Sequence, residues 1–411
     1  MKQIETIIIG GGQAGLATSY YLTRHGREHI VFEKAAQAGY AWRNERWDSF
    51  TLVTPNWSFR LPGAEYQDSA PDSFMPRTEV VSRLEQYVER FHLPIQYGVQ
   101  VNAVEQHDNG RNYLVQTENG RFEAQNVVMA TGLYQQPRLP AYSAALSRRL
   151  IQLHSSQYRH PQMLPAGAVL VVGSGQSGCQ IAEELYQSGR KVYLCVGRAG
   201  RAPRRYRGKD VYDWLNLCGF FDRPAEKLPS PKARFGANPQ LTGRDGGHTL
   251  NLHRFARDEV TLLGRLQGGQ DQTIRLAPDL QANLSKADEL ETQIVNLIDD
   301  YIIRTGMDAP PENLPVLHDG YEAEVITELN LETAGITTII WATGYTFDFS
   351  LVKLPVFDGD GYPIQQQGVT NYPGLYFVGL PWLSGQKSGL FLGIGEQAGI
   401  IASVINGSLT T

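Results

Sequence analysis

An α/β architecture of two doubly wound units is predicted by three features of this 411-residue sequence. A strand, a glycine-rich turn, a helix and a second strand follow one another at the N-terminus. The same order recurs near the middle of the chain, and two further apolar runs each end in Ala-Thr-Gly. Hydrophobic residues make up 42% of the chain and glycine fills 42 positions, which suits two buried cores joined by many tight turns.

The first unit opens at residues 7–15, IIIGGGQAG, and continues through a helix over 16–25 to a strand over 28–32. Gly10 permits the tight turn, Gly12 lets a ligand approach the backbone, and Gly15 lets the helix pack closely on the strand. The free N–H groups of Gln13, Ala14 and Gly15 and the positive end of the helix suit a pyrophosphate. Glu33 ends the second strand, beside Lys34, where a carboxylate accepts hydrogen bonds from ribose hydroxyls. A first site of this kind followed by a second one indicates FAD. The segment 39–48, GYAWRNERWD, follows at once and places Trp42 and Arg43 on the adenosine and pyrophosphate side.

The second unit reads LVVGSGQSG at 170–178, with a helix over 179–188 and a strand over 191–196. Gly173, Gly175, Gln176, Ser177 and Gly178 repeat the phosphate turn. The position that Glu33 holds in the first unit is taken here by Val196. Arg198 follows, then Arg201, Arg204, Arg205, Arg207 and Lys209. Without an acid to repel it and with guanidinium groups near, a 2′-phosphate is favoured, so the second cofactor is NADPH.

Residues 127–132, VVMATG, and 339–345, IIWATGY, end strands in small-residue turns suited to crossings between domains, which adds Thr131, Gly132, Thr343 and Gly344 to the cofactor-binding set. The predicted division is an FAD-binding domain over 1–158 and 345–411, and an NADPH-binding domain over 159–344. An elaboration over about 201–311 carries a helix near 286–304. Residues 374–379, GLYFVG, read as a strand, and 393–405 as a closing helix. Gly379 would approach the flavin, and Gln386, Lys387 and Ser388 would donate hydrogen bonds to it beside that helix's N-terminus.

Composition narrows the partners. A formal charge of −5 gives no general attraction to nucleic acid or anionic membranes. Cys179, Cys195 and Cys218 form no CxxC, so neither a disulfide framework nor a dithiol centre is expected, in keeping with a reducing cytoplasm. No signal sequence is read at the N-terminus. The most apolar stretch, 390–405, is interrupted by Glu396 and three glycines and is too short to span a bilayer. His248 and His253 lack ligand-type companions, so no metal is expected. Oligomeric state is left open, a homodimer being one option.

Residues 154–158, HSSQY, before the second glycine turn, and 342–345, ATGY, resemble stretches of the flavin-containing monooxygenases. With FAD first and NADPH second, the chain resembles the class B flavoprotein monooxygenases over nearly its whole length. Residues 204–208, RRYRG, and 238–251 bring it nearest a bacterial group of flavoproteins labelled with potassium transport. The resemblance implies two Rossmann-like domains in a glutathione-reductase-like arrangement. It also implies reduction of FAD by NADPH, capture of O2 as a C4a-(hydro)peroxyflavin, and oxygenation of a small-molecule nucleophile, at nitrogen in preference to sulfur. His154 is carried as a site candidate. Asn56 corresponds to a flavin-side Asn, although Thr54-Pro55-Asn56 departs in order from the family's T-N-x-P segment. The Baeyer–Villiger signature is absent, since His160-Pro161 lacks its Trp. Two other readings stand beside this one: an NADPH-dependent dehydrogenase or oxidase that inserts no oxygen, and a non-enzymatic redox-responsive flavoprotein.

Overall fold

Apolar runs alternating with helices become parallel strands covered on both faces. The computed structural model describes residues 1–107, 110–236 and 238–407. In it the strand Lys2–Ile9 leads into the helix Gln13–Arg24 and the strand His29–Glu33. Lys2–Ile9 lies parallel to His29–Glu33 on one side and to Gly120–Met129 on the other, and Ile7, Ile8 and Val31 have no exposure. Ile95–Tyr97 extends the sheet beyond His29–Glu33, and Leu375–Phe377 extends it beyond Gly120–Met129. The C-terminal segment thus completes the sheet that the N-terminus begins. The closing helix, Phe391–Ile405, packs back on Gln13–Arg24.

The second sheet has five parallel strands, in the order Ile151–His154, Ile336–Trp341, Ala168–Val172, Val192–Cys195 and Thr261–Leu263. All five residues of Ala168–Val172 are buried, and the helix Gln176–Gln187 covers them. Two boundaries move from the sequence reading. Ile151–His154 pairs with Ile336–Trp341, so residues 151–158 go with the second sheet rather than the first. Thr261–Leu263 is an edge strand of that sheet, although it falls within the span read as elaboration. The periodicity of so short a strand is too weak to distinguish it from a loop.

The chain crosses between the sheets twice, and the crossings pair with each other: Gln136–Pro137 runs antiparallel to Tyr345–Thr346. Rings gather there, with Tyr134 and His154 edge-on to Tyr345 at 5.1 and 4.8 Å. Among the described residues no helix is long and apolar enough to cross a membrane.

The rest of the elaboration carries the helix Leu280–Thr305 and, through residues 204–234, reaches back onto the first unit. Arg204, 1% exposed, grips Asp210 through Nε at 2.7 Å and donates Nη1 to the Val53 carbonyl at 2.8 Å. Arg234 pairs with Asp358 at 3.2 Å over the ring of Tyr362, and Pro224 bridges to Gly385. These contacts clamp the two units together.

Asp210 also caps the helix Val211–Leu217 by accepting the Tyr212 N–H. Asp210→Asn keeps that cap and deletes the charge opposite Arg204. Breaking one side of a buried pair costs about 3–5 kcal/mol, and urea unfolding of the variant is expected to show a loss in that range. A loss below about 1 kcal/mol, the worth of an exposed pair, would show that the clamp does not depend on this charge.

Candidate active site

The two glycine turns are built alike. Gly10 and Gly173 have φ of +112° and +107°, and a Cβ on either would lie 2.4 or 2.5 Å from the carbonyl oxygen of Ala130 or Ala342. Each turn is therefore pressed against the Ala-Thr-Gly turn of its own sheet. A Cβ on Gly15 or Gly178 would meet the Gly10 or Gly173 carbonyl at 1.9 or 1.8 Å, so helix and strand touch at backbone distance. At Gly12 and Gly175 the space is open, with nothing within 4 Å of an added Cβ. Both residues are N-caps that provide no side-chain bond, which leaves the first-turn N–H groups of Gln13, Ala14 and Gly15, and of Gln176, Ser177 and Gly178, without a capping group. An open floor beneath uncapped N–H groups fits a pyrophosphate at both places.

At the first cradle Glu33 accepts the Gly11 N–H at 2.7 Å and the Ala35 N–H at 2.8 Å, one on each carboxylate oxygen. Each oxygen retains acceptor capacity, as a ribose diol requires. Lys34 beside it is exposed. Gln13 donates Nε2 to the Gly389 carbonyl at 2.9 Å, and Gly379, with φ +78°, brings the backbone against Ala14. The N-termini of Gln13–Arg24 and Phe391–Ile405 thus converge on one cleft. Trp42 and Phe59 pack against the start of the second helix, their rings 5.8 and 4.4 Å from that of Phe391. Asn56, 4% exposed, heads the short turn that carries Phe59; it donates Nδ2 to the Ala70 carbonyl at 3.0 Å, while its buried Oδ1 has no partner. The buried Oε1 atoms of Gln13 and Gln386 are also without partners.

Three residues expected at this cofactor turn elsewhere. Arg43 pairs with Glu85 at 2.5 Å and so fastens its segment to the helix Arg77–Phe91. Lys387 is held by Asp222 and Glu396, both at 2.8 Å. Burial alone would lower its pKa, but the two carboxylates outweigh this and raise it. Ser388 is buried and its hydroxyl is spent locally: it accepts the Ser384 and Gly385 N–H groups and donates to the Gly385 carbonyl. Lys387 and Ser388 shape the loop and do not point donors into the cleft. All three partnerships are with residues remote in sequence or within a turn that composition does not reveal.

At the second cradle Val196 is buried and Arg198 is exposed, with no side-chain partner among the described residues. The other arginines of the run are committed. Arg201 pairs with Asp288 and Glu291 at 2.7 and 2.6 Å, and Arg204 with Asp210. Arg205 donates to the Gly246 and Gly247 carbonyls, and Arg207 pairs with Asp299 at 2.8 Å. The basic run is thus a set of struts with one free guanidinium. Gln176 keeps a buried Nε2 without partner. At the crossings, Thr131 Oγ1 accepts from Gln135 at 3.0 Å and Thr343 Oγ1 donates to the Arg138 carbonyl; Gly132 and Gly344 have φ of +80° and +81°.

His154 is a brace. Its Nε2 donates to the Gly344 carbonyl at 3.1 Å, and Nδ1 lies 3.2 Å from the Ser156 N–H, which donates to it. Burial holds its pKa below the usual 6.5, with a further push from Arg46. Arg46 was not singled out from the sequence: it is buried, with its guanidinium over Trp42, Phe50 and Tyr134 at 5.5, 5.6 and 4.8 Å. Only the neighbouring aromatic residues could have signalled it.

Two cradles, one on each of two doubly crossed sheets, suit an oxidoreductase that uses two nucleotides. Residues 7–216 match the pyridine nucleotide-disulphide oxidoreductase family, and the chain belongs to it. It is 32% identical to a CzcO-like oxidoreductase of Geobacillus kaustophilus, over 96% of each chain. It is 28% identical to flavin-containing monooxygenase 1 of Mus musculus over 54% of this chain and 46% of that one. The fold matches that of a flavin-containing monooxygenase from Stenotrophomonas maltophilia, with a TM-score of 0.66 at 20% identity over 99% of both chains. The protein is an oxidoreductase of that family, with a fold shared with flavin monooxygenases.

Two outcomes follow from this geometry. Glu33→Ala should weaken FAD binding by about 10–100-fold, the worth of one or two bonds to a carboxylate, in a titration of the apoprotein; unchanged affinity would remove Glu33 from the site. Burial makes His154 harder to protonate in the folded chain than in the unfolded one, where it takes up a proton near 6.5, so its contribution to stability is present above that pH and is lost as pH falls through its lowered folded pKa. The drop in urea midpoint between about pH 7.5 and 5.5 should therefore shrink in His154→Gln. An equal drop in both proteins would assign it to other groups.

Proposed function

We propose that this chain is an NADPH-dependent FAD monooxygenase that places one atom of O2 on a soft nucleophilic atom of a small molecule, nitrogen in preference to sulfur. The observation that carries the reading is the unequal charge of the two cradles: the Glu33 carboxylate at the first and the free Arg198 guanidinium at the second. An acid beside a ribose accepts its hydroxyls and repels a 2′-phosphate; a lone guanidinium attracts one.

When bound, FAD supplies the redox chemistry, taking a hydride from NADPH and reducing O2 so that one oxygen goes to the substrate and the other leaves as water. The chain's own residues do the rest. The first-turn N–H groups at Gln13–Gly15 and Gln176–Gly178 hold the two pyrophosphates. Glu33 takes the FAD ribose and Arg198 the NADPH 2′-phosphate. The uncapped start of Phe391–Ile405 offers a positive helix end to negative charge in the cleft. Trp42, Phe59 and Phe391 pack as an apolar cluster behind that helix end and would keep water from it. Asn56 Oδ1 and Gln386 Oε1 are acceptors in search of a donor, which suits contact with an N–H group of cofactor or substrate. A thiol-disulfide mechanism is disfavoured by the cysteines themselves: Cys179 and Cys195 are buried, and burial pushes the Cys195 thiol up to about 12.

The test is incubation with NADPH and 18O2 in the presence of N,N-dimethylbenzylamine or thioanisole. One 18O per product molecule, with the amine favoured, is expected. Full conversion of O2 to H2O2 with every acceptor would assign the chain to the oxidases. Arg198→Ala should raise the KM for NADPH by about 10–100-fold and leave that for NADH nearly unchanged.

A further inference from the structure

The loop that carries Arg198 is tied down almost everywhere except at Arg198. The Val196 carbonyl accepts Nδ2 of Asn283, 2% exposed, at 3.1 Å. The Gly197 N–H donates to Ser174 Oγ at 2.9 Å. The Gly200 carbonyl accepts the Gln240 N–H at 2.8 Å, and the Arg201 side chain is locked by Asp288 and Glu291. At the centre lies Gln240, with no exposure at all. Its Nε2 donates to the Ser174 carbonyl at 2.8 Å and to the Ala199 carbonyl at 3.3 Å. These two acceptors belong to different parts of one nucleotide site. Ser174 sits between Gly173 and Gly175 in the pyrophosphate turn, and Ala199 follows Arg198. A single buried amide therefore joins the turn that every dinucleotide would use to the loop that only a 2′-phosphate would use.

We propose that Gln240 is a positioning residue for NADPH selection: it pre-sets the loop 197–200 against the pyrophosphate turn, so that Arg198 meets a 2′-phosphate without a further ordering cost. This rests on the assignment of Arg198 to the 2′-phosphate and gives the elaboration a role in the same site, since Gln240 and Asn283 both come from it. A guanidinium on a loose loop loses affinity to ordering, whereas one on a fixed loop does not. The effect is confined to ligands that engage the loop. Removing Gln240 should therefore weaken recognition of the 2′-phosphate and spare the rest of the nucleotide.

The probes are 2′,5′-ADP and 5′-AMP, titrated calorimetrically into the FAD-loaded full-length protein. The wild type should prefer 2′,5′-ADP. Gln240→Met, which keeps the side-chain length and removes the donor, should weaken 2′,5′-ADP by about tenfold and 5′-AMP by less than about twofold, with the visible flavin spectrum unchanged. Ser174→Ala, which removes only the Gly197 bond, should lower the same ratio to a smaller extent, and it decides the matter if Gln240→Met does not fold. In an Arg198→Ala background neither substitution should change the ratio further, because the contact it serves is gone. A wild type that binds both probes alike overturns the Arg198 assignment, and the positioning role with it. A discriminating wild type whose Gln240 and Ser174 variants discriminate equally well, or lose both probes in parallel, overturns the positioning role alone.

Discussion

The rest of this structure depends on a backbone contact made twice: a glycine with positive φ set against the carbonyl of an alanine, at Gly10–Ala130 and again at Gly173–Ala342. Neither contact leaves room for a Cβ. Each brings the ends of two parallel strands together and aims a helix N-terminus across the gap, so the phosphate cradle and the exit to the other sheet are parts of one joint. Because Ala130 and Ala342 begin the two crossings, a cradle cannot be distorted without moving the connection between the units. Cofactor binding and domain geometry are in this sense one constraint.

The elaboration acts on that arrangement from outside. Arg204 and Arg234 carry it onto the first unit, and the bridge from Pro224 to Gly385 ties it to the loop before the closing helix. Three pieces of chain far apart in sequence thus meet at the closing helix: the aromatic segment with Trp42 and Phe59, the loop with Gln386, and the clamp.

What could be read from the sequence was what is local. The cradles, their strands and Glu33 lie within short stretches whose order carries the physics, and each occupies its expected place. The Arg run shows the opposite case. As text, Arg201, Arg204, Arg205 and Arg207 look equivalent to Arg198. Their partners, which are Asp288 and Glu291, Asp210, the Gly246 and Gly247 carbonyls, and Asp299, are distributed over a long stretch of chain, and only folding shows that four of the five are committed. Lys387 and Arg43 show the same thing, the first held by Asp222 and Glu396 and the second by Glu85. The strand Thr261–Leu263 and the first six residues of the helix from Leu280 escape the sequence because three residues, two of them apolar, or fewer than two helical turns give too little periodicity to register.

The threading of the sheets also has a temporal side. Every strand of the second sheet lies between Ile151 and Trp341, so that sheet is complete once this span has left the ribosome. The first sheet begins at Lys2 yet still lacks Leu375–Phe377, and the closing helix that packs on Gln13–Arg24 comes later still. Units generally fold in order of synthesis, but here the unit that starts first is finished last. Until then the first cradle has its glycines and its acid but only one of its two converging helix ends, so the nascent chain holds a finished second cradle beside an unfinished first one.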